Sequence, residues 1–140
     1  MKISANVRNS FGTHEASVQT NDNRQQLAIA PKAGGFGSSV NGGELLFLAL
    51  ATCYCNDIYR EAARRGIAVE QVEVTVEGDF EAEGAPAANI VYHAKVAAKA
   101  TKEEIESLIR DTDRVAEIQN TLRAPIPVNL TNIDAVSLEY

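Results

Sequence analysis

Between Glu44 and Gly66 the chain reads ELLFLALATCYCNDIYREAARRG, and this stretch limits the possible folds more than any other. Leu45 to Ala51 leave no polar face, so the first half of the helix it predicts needs apolar cover on every side. Arg64 and Arg65 favour the negative end of that helix, and Gly66 supplies a left-handed stop. The run is too short to span a bilayer, and Asn56, Asp57, Arg60 and Glu61 follow it directly. A chain of 140 residues offers one domain with a real core, but little else to wrap such a helix. A second copy is the simplest source of the missing cover, so a homodimer with this helix at its centre is expected.

Alternation fills most of the remaining chain. Lys2 to Val7 and His14 to Ala30 read as two or three strands divided by turns at Asn9 to Gly12 and Asn21 to Asn23. Ala33 to Gly43 is a glycine-rich loop, with Ser39 or Asn41 as the helix N-cap. Val69 to Phe80 and Asn89 to Ala100 alternate strictly and predict a long hairpin. Thr101 and Glu104 form a capping box that opens a helix to about Arg110. Asp111 or Thr112 can cap a second short helix ending near Leu122. Pro125 and Pro127 force an extended exit into a last strand, Val128 to Tyr140. The order β-β(-β)-α-β-β-α-α-β is an α+β arrangement, with residues 1–140 as a single domain.

The formal net charge of -6, with no stripe of Lys or Arg, gives nucleic acid or an anionic membrane no electrostatic footing. MKISANVRNS has no apolar stretch of signal-peptide length, so a cytoplasmic protein is expected. The chain has only two cysteines, Cys53 and Cys55, both on the long helix. Their side chains diverge by about 200° around the axis, so they cannot bond to each other without unwinding it. Each is either inert packing or a nucleophile held in a shaped site. Cys53 shares a face with Leu46, Ala49, Leu50 and Asp57, and a reactive thiol there needs a cation beside it. No cation of the same helix is expected to face it. Glu44 is a candidate site acid, or simply a first-turn acid favoured by the helix dipole. It lies nine residues before Cys53, out of reach within one chain. His14 and His93 stand alone, so no metal site is expected. The glycine loop lacks the pattern of a phosphate or dinucleotide cradle, and no cofactor is expected.

NGGELLFLALATC, followed by a helix ending RRGIAVEQVEVTVEGDF, resembles the OsmC/Ohr family of osmotically induced and organic hydroperoxide resistance proteins. The resemblance covers essentially the whole chain. It implies the OsmC-like fold, an intertwined homodimer with central helices and two sites at the interface. It also implies Cys53 as the thiol that attacks a hydroperoxide and becomes a sulfenic acid. Ala116 stands where peroxidase members carry the resolving cysteine, so an external thiol reductant would be the partner. Gly43 takes the position of the catalytic glutamate, with Glu44 next to it. Ser10-Phe11-Gly12 replaces the arginine motif, with Arg8 nearby, and Lys32 and Arg123 are further candidate cations. The expected activity is a weak, one-cysteine reduction of organic hydroperoxides. The alternative is a dimer of the same fold that binds a small apolar ligand or is purely structural.

Overall fold

Alternation and helical periodicity, wherever they run unbroken, become regular elements in the computed structural model, which describes residues 1–138. The order is β1 (Ile3–Ser10), β2 (Thr13–Thr20), β3 (Asn23–Leu27), α1 (Gly42–Arg64), β4 (Ala68–Asp79), β5 (Ala88–Lys99), α2 (Lys102–Val115) and α3 (Glu117–Arg123). Strands β1, β2 and β3 form one antiparallel sheet, and β4 pairs with β5 in a second. The chain packs as two units. One comprises residues 1–49 and 76–91, the other residue 50–75 and 92 onward, so α1 and the β4–β5 pair contribute to both.

In the first unit, β1 and β2 run in register from Ile3 opposite Thr20 to Ser10 opposite Thr13. Gly12 turns the hairpin at φ 73°, and Asn21 turns the next at φ 51°, a left-handed conformation that asparagine tolerates. Asn9 ties the glycine-rich loop to this sheet: its side chain donates to the Gly37 carbonyl at 3.1 Å and accepts from the Gly37 amide at 3.0 Å. Phe11 meets Phe36 edge to face across the same junction. Gly78 in β4 has a packing reason, because a Cβ there would lie 2.8 Å from the Phe47 ring.

The second unit holds the buried core. Along α1 the buried residues are Leu50, Tyr54, Asp57, Ile58 and Ala62, a stripe at helical spacing. Tyr54, Ile58 and Ala62 pack with Leu108 of α2 and with Ala116, against Val72, Val74, Tyr92, Ala94 and Val96 of the hairpin. Tyr54 donates its hydroxyl to the Ile109 carbonyl at 2.7 Å, which satisfies the one polar atom of a buried ring. Tyr92 donates to Asp113, which also accepts from Arg123 at 2.7 Å, so β5, α2 and α3 meet at one carboxylate. Burial opposes the charge on Asp113, but the Tyr92 hydroxyl and the Arg123 guanidinium prevail and hold its carboxyl below the usual range.

The end of α1 is a Schellman motif. The Ile67 amide donates to the Ala62 carbonyl at 2.9 Å and the Gly66 amide to the Ala63 carbonyl at 3.3 Å, with Gly66 at φ 67°. Ile67 then packs back on the cluster that contains Ala62. Gly66→Ala is expected to cost about 1 kcal/mol, since an L side chain must enter the left-handed region. Thermal unfolding of the variant checks this; an unchanged midpoint would mean that the stop relaxes freely.

Within one chain the first half of α1 is not covered all round: Leu45 and Leu48 remain exposed and only one stripe is buried. Two expectations need correction. The break between the last helices falls at Ala116 and not at Asp111 or Thr112. Thr112 is fully buried inside α2 and donates its hydroxyl back to the Leu108 carbonyl at 2.7 Å, the bond of a helix-interior threonine and not of a cap. The closing strand is not formed: residues 125–138 carry no regular structure, and Val128 and Leu130 are 95% and 84% exposed. A strand needs a neighbouring strand's amides and carbonyls, and among the described residues no strand pairs with this segment. Tyr140, the last apolar position of that segment, lies outside the described residues.

Candidate functional site

Cys53 lies in the second unit, half-buried, one helical turn before Asp57. Residues four apart share a helix face, and the Cys53 thiol donates to Asp57 Oδ2 at 3.5 Å. Arg60 follows three positions after Asp57. Its side chain leans back towards the N-terminal turn, as helical side chains do. One guanidinium nitrogen reaches Asp57 Oδ1 at 3.1 Å and Glu117 Oε2 at 2.9 Å. Its Nε donates to Glu61 at 2.9 Å, and Glu61 also takes Arg64 at 2.8 Å. Glu117 opens α3 and places Oε1 3.8 Å from the Cys53 sulfur. The result is a thiol facing two carboxylates, which one guanidinium holds together from behind.

The short helix α3 is fixed against α1 by Gln119, whose buried amide donates to the Leu50 carbonyl at 3.0 Å. That helix carbonyl has a second lone pair to offer. The seat matters because the amide of Ile118 then faces the Cys53 sulfur.

These contacts set the charge at the sulfur. Burial pushes the Cys53 thiol up; the Ile118 amide pulls it down, and the carboxylates of Asp57 and Glu117 push it further up. Burial also raises the Asp57 carboxyl, helped by the contact with Glu117 and opposed by Cys53 and Arg60. Glu117, whose side chain is 61% exposed, is held down by its own backbone amide and by Asp57 and Arg60. The Arg60 guanidinium is shared among three carboxylates, so the sulfur meets net negative charge. The thiol form is favoured at neutral pH. Alkylation of Cys53 by iodoacetamide is therefore expected to rise with pH to a midpoint above that of an ordinary cysteine. Mass spectrometry of the alkylated peptide checks this, and a midpoint below the ordinary value would contradict it.

The sulfur and the two carboxylates lie within 4.8 Å of one another, and as residue types they could face a cation. Arg60 already bridges both carboxylates, so the set is an ion-paired cluster, still net negative, beside a protonated thiol.

Of the residues singled out in the sequence, Cys53 and Asp57 come together as their shared face implies. Ala116 is fully buried beside the site, in the core cluster, and its neighbour Glu117 makes the contact. Arg60, seven residues on and nearly in line around the axis, reaches Asp57 and Glu117 and not the Cys53 sulfur itself. Glu117 had no local signal at all. Glu44 and Arg8 belong to the first unit. Glu44 forms a reciprocal capping box with Asn41, at 3.0 and 2.8 Å, which settles Asn41 as the N-cap of α1. Arg8 is exposed on β1 opposite Glu15. Lys32 bonds through its backbone to the glycine loop, and Arg123 is committed to Asp113. Cys55 lines a shallow hollow of about 250 Å³ with Ala51, Thr52, Asn56 and Val74. His93 is exposed on β5, and His14 contacts Asn9.

No curated protein sequence matches the chain significantly. Solved structures do. An OsmC-like protein from Mycoplasma pneumoniae is similar with a TM-score of 0.60 at 20% identity, over 89% of this chain and 87% of its own. An OsmC-like protein of unknown function from Vibrio cholerae O1 gives 0.59 at 14% identity, over 86% and 93%. An organic hydroperoxide resistance protein, OsmC, from Legionella pneumophila gives 0.53 at 20%, over 88% and 90%. At such identities the likeness concerns the fold, the mixed α+β arrangement described above. The family of OsmC-like proteins matches residues 35–131, which include α1, the β4–β5 pair, α2, α3 and every residue of the thiol cluster. The chain belongs to the OsmC-like protein family.

Proposed function

We propose that this protein reduces organic hydroperoxides through Cys53 in a slow one-cysteine cycle completed by an external thiol. The observation that carries this reading is a free, half-buried thiol on α1 that donates to a carboxylate in a built, charged cluster. A cysteine kept only for packing needs no such partners. The family supports it further, since relatives of this fold are named for hydroperoxide resistance. Attack of the sulfur on the terminal peroxide oxygen gives a sulfenic acid and an alcohol. One external thiol condenses with the sulfenic acid, releasing water, and a second reduces the mixed disulfide. Ala116 offers no internal thiol for this step. Free cysteines and a thiol reductant fit a reducing compartment such as the cytoplasm. No described helix is long and apolar enough to cross a membrane.

The working unit in this reading is a homodimer. Its support is the apolar surface that one chain leaves bare: Leu45 and Leu48 on α1, Ile3 and Val7 on β1, and Val128, Leu130, Ile133, Val136 and Leu138 beyond α3. A second copy would cover these and give residues 128–138 strands to pair with.

One experiment tests both parts. The reduced protein is exposed briefly to cumene hydroperoxide with a sulfenic-acid trap, then weighed intact under native and denaturing conditions. One trap per chain, absent from Cys53→Ala, and a native mass of two 15.1 kDa chains are expected. An unlabelled, folded wild type would overturn the peroxidase reading and favour the same fold kept for an apolar ligand. A monomer would overturn the dimer.

A further inference from the structure

The cluster around Cys53 puts a fixed proton acceptor on a thiol that has no cation of its own. Asp57 is 5% exposed and uses its two oxygens separately: Oδ2 accepts from the Cys53 sulfur at 3.5 Å, and Oδ1 is pinned by Arg60 at 3.1 Å. We propose that Asp57 is the proton relay of Cys53, taking the thiol proton as the sulfur attacks and handing it to the departing alkoxide. The proposal rests on the hydroperoxide reading above. In the step, a sulfur–oxygen bond forms at the terminal peroxide oxygen and the oxygen–oxygen bond breaks. The sulfur loses two electrons, and the pair from the broken bond leaves on the alkoxide, which takes the proton from Asp57. The products are the sulfenic acid and a neutral alcohol, and Asp57 returns to its carboxylate.

Three observations favour Asp57 over Glu117. Asp57 is shielded from water, whereas the Glu117 side chain is mostly exposed. Asp57 makes the shorter contact with the sulfur. Burial also raises its carboxyl above the usual range, so that it holds a proton more readily than an exposed aspartate does. The charged groups around it are Arg60 and Glu61 from α1 and Glu117 from α3. Arg60 acts as a positioning residue, holding the carboxylate oxygens so that one always faces the thiol.

Comparison of two reagents tests this. Cumene hydroperoxide needs a thiolate and a proton for its leaving group; iodoacetamide needs only the thiolate, since iodide departs unprotonated. Asp57→Asn is expected to slow sulfenic-acid formation at least about 100-fold, the usual range for a lost acid–base group. The same variant should be alkylated faster than wild type, because a negative charge beside the sulfur is gone. Glu117→Gln should speed both reactions. If Asp57→Asn also speeds both, or changes neither, Asp57 is only a charge and the relay is wrong. If wild type gives no sulfenic acid, the hydroperoxide reading and the relay fall together. Should Asp57→Asn fail to fold, the wild type in heavy water decides: a slowing of the peroxide reaction beyond that of alkylation supports the relay, and equal slowing overturns it.

Discussion

Ala116→Cys is expected to turn the one-cysteine chain into a self-resolving one. Ala116 is the N-cap of α3, and the next two residues already address the Cys53 sulfur: Glu117 through its carboxylate at 3.8 Å, Ile118 through its amide. A thiol at position 116 would condense with the sulfenic acid of Cys53, releasing water and leaving a disulfide. The oxidised variant should weigh two hydrogens less than the reduced one and lose its reactivity towards a sulfenic-acid trap. Turnover with a dithiol reductant should then exceed that of wild type. Ala116 is fully buried in the core, so an added sulfur costs the reduced variant about 1–3 kcal/mol by overpacking. The bond would close a loop of 63 residues (116 − 53) and stabilise the oxidised form by about 4 kcal/mol in the chain-entropy account. Reduced and oxidised unfolding midpoints should therefore move in opposite directions from wild type. Persistent trapping of the variant, with no disulfide, would mean that the sulfur atoms cannot reach bonding geometry.

The features legible in the sequence were those with a short-range physical cause. Strand alternation in Val72, Val74 and Val76, the Thr101–Glu104 box and the Gly66 stop all act within a few residues, and each is found in place. Cys53 and Asp57 share a face because four residues make roughly one turn. Arg60 lies on that same face but about 10 Å along the axis, and it bears on Cys53 through Asp57 and not by direct contact. Glu117 could not be seen, because its link to Cys53 spans 64 residues and depends on the seating of α3 by Gln119. The break at Ala116 was hidden for a related reason. Thr112 and Asp111 have the chemistry of caps, but core packing buries one and Arg65 and Arg114 engage the other. Residues 128–138 have strand composition, but strand formation needs an edge to pair with, and one chain's sequence cannot say which chain supplies it.

Leu108→Ala should be the most damaging single truncation in the second unit. Leu108 is fully buried among Tyr54, Ile58, Ala62 and Ala116, so the loss combines a transfer cost with a cavity cost. The cost depends on how far the neighbours can collapse into the void, and here they are held. The Tyr54 hydroxyl is fixed on the Ile109 carbonyl, and its ring stands edge-on to Tyr92 with centroids 5.0 Å apart. Thr112, the next turn of α2, is pinned to the backbone of residue 108 itself. Ala62 and Ala116 have no side-chain atoms to extend. The expected loss is therefore about 3–5 kcal/mol, in the upper part of the range for such truncations. Against a total of roughly 5–15 kcal/mol, that leaves a protein near its folding threshold. Leu108→Met, which keeps the volume, should cost less than about 1.5 kcal/mol. Denaturant titration separates the two: the alanine variant's midpoint should fall sharply while the slope with denaturant stays constant. A loss below about 1 kcal/mol would mean that α2 shifts to fill the space and that the Tyr54 and Thr112 bonds do not hold it.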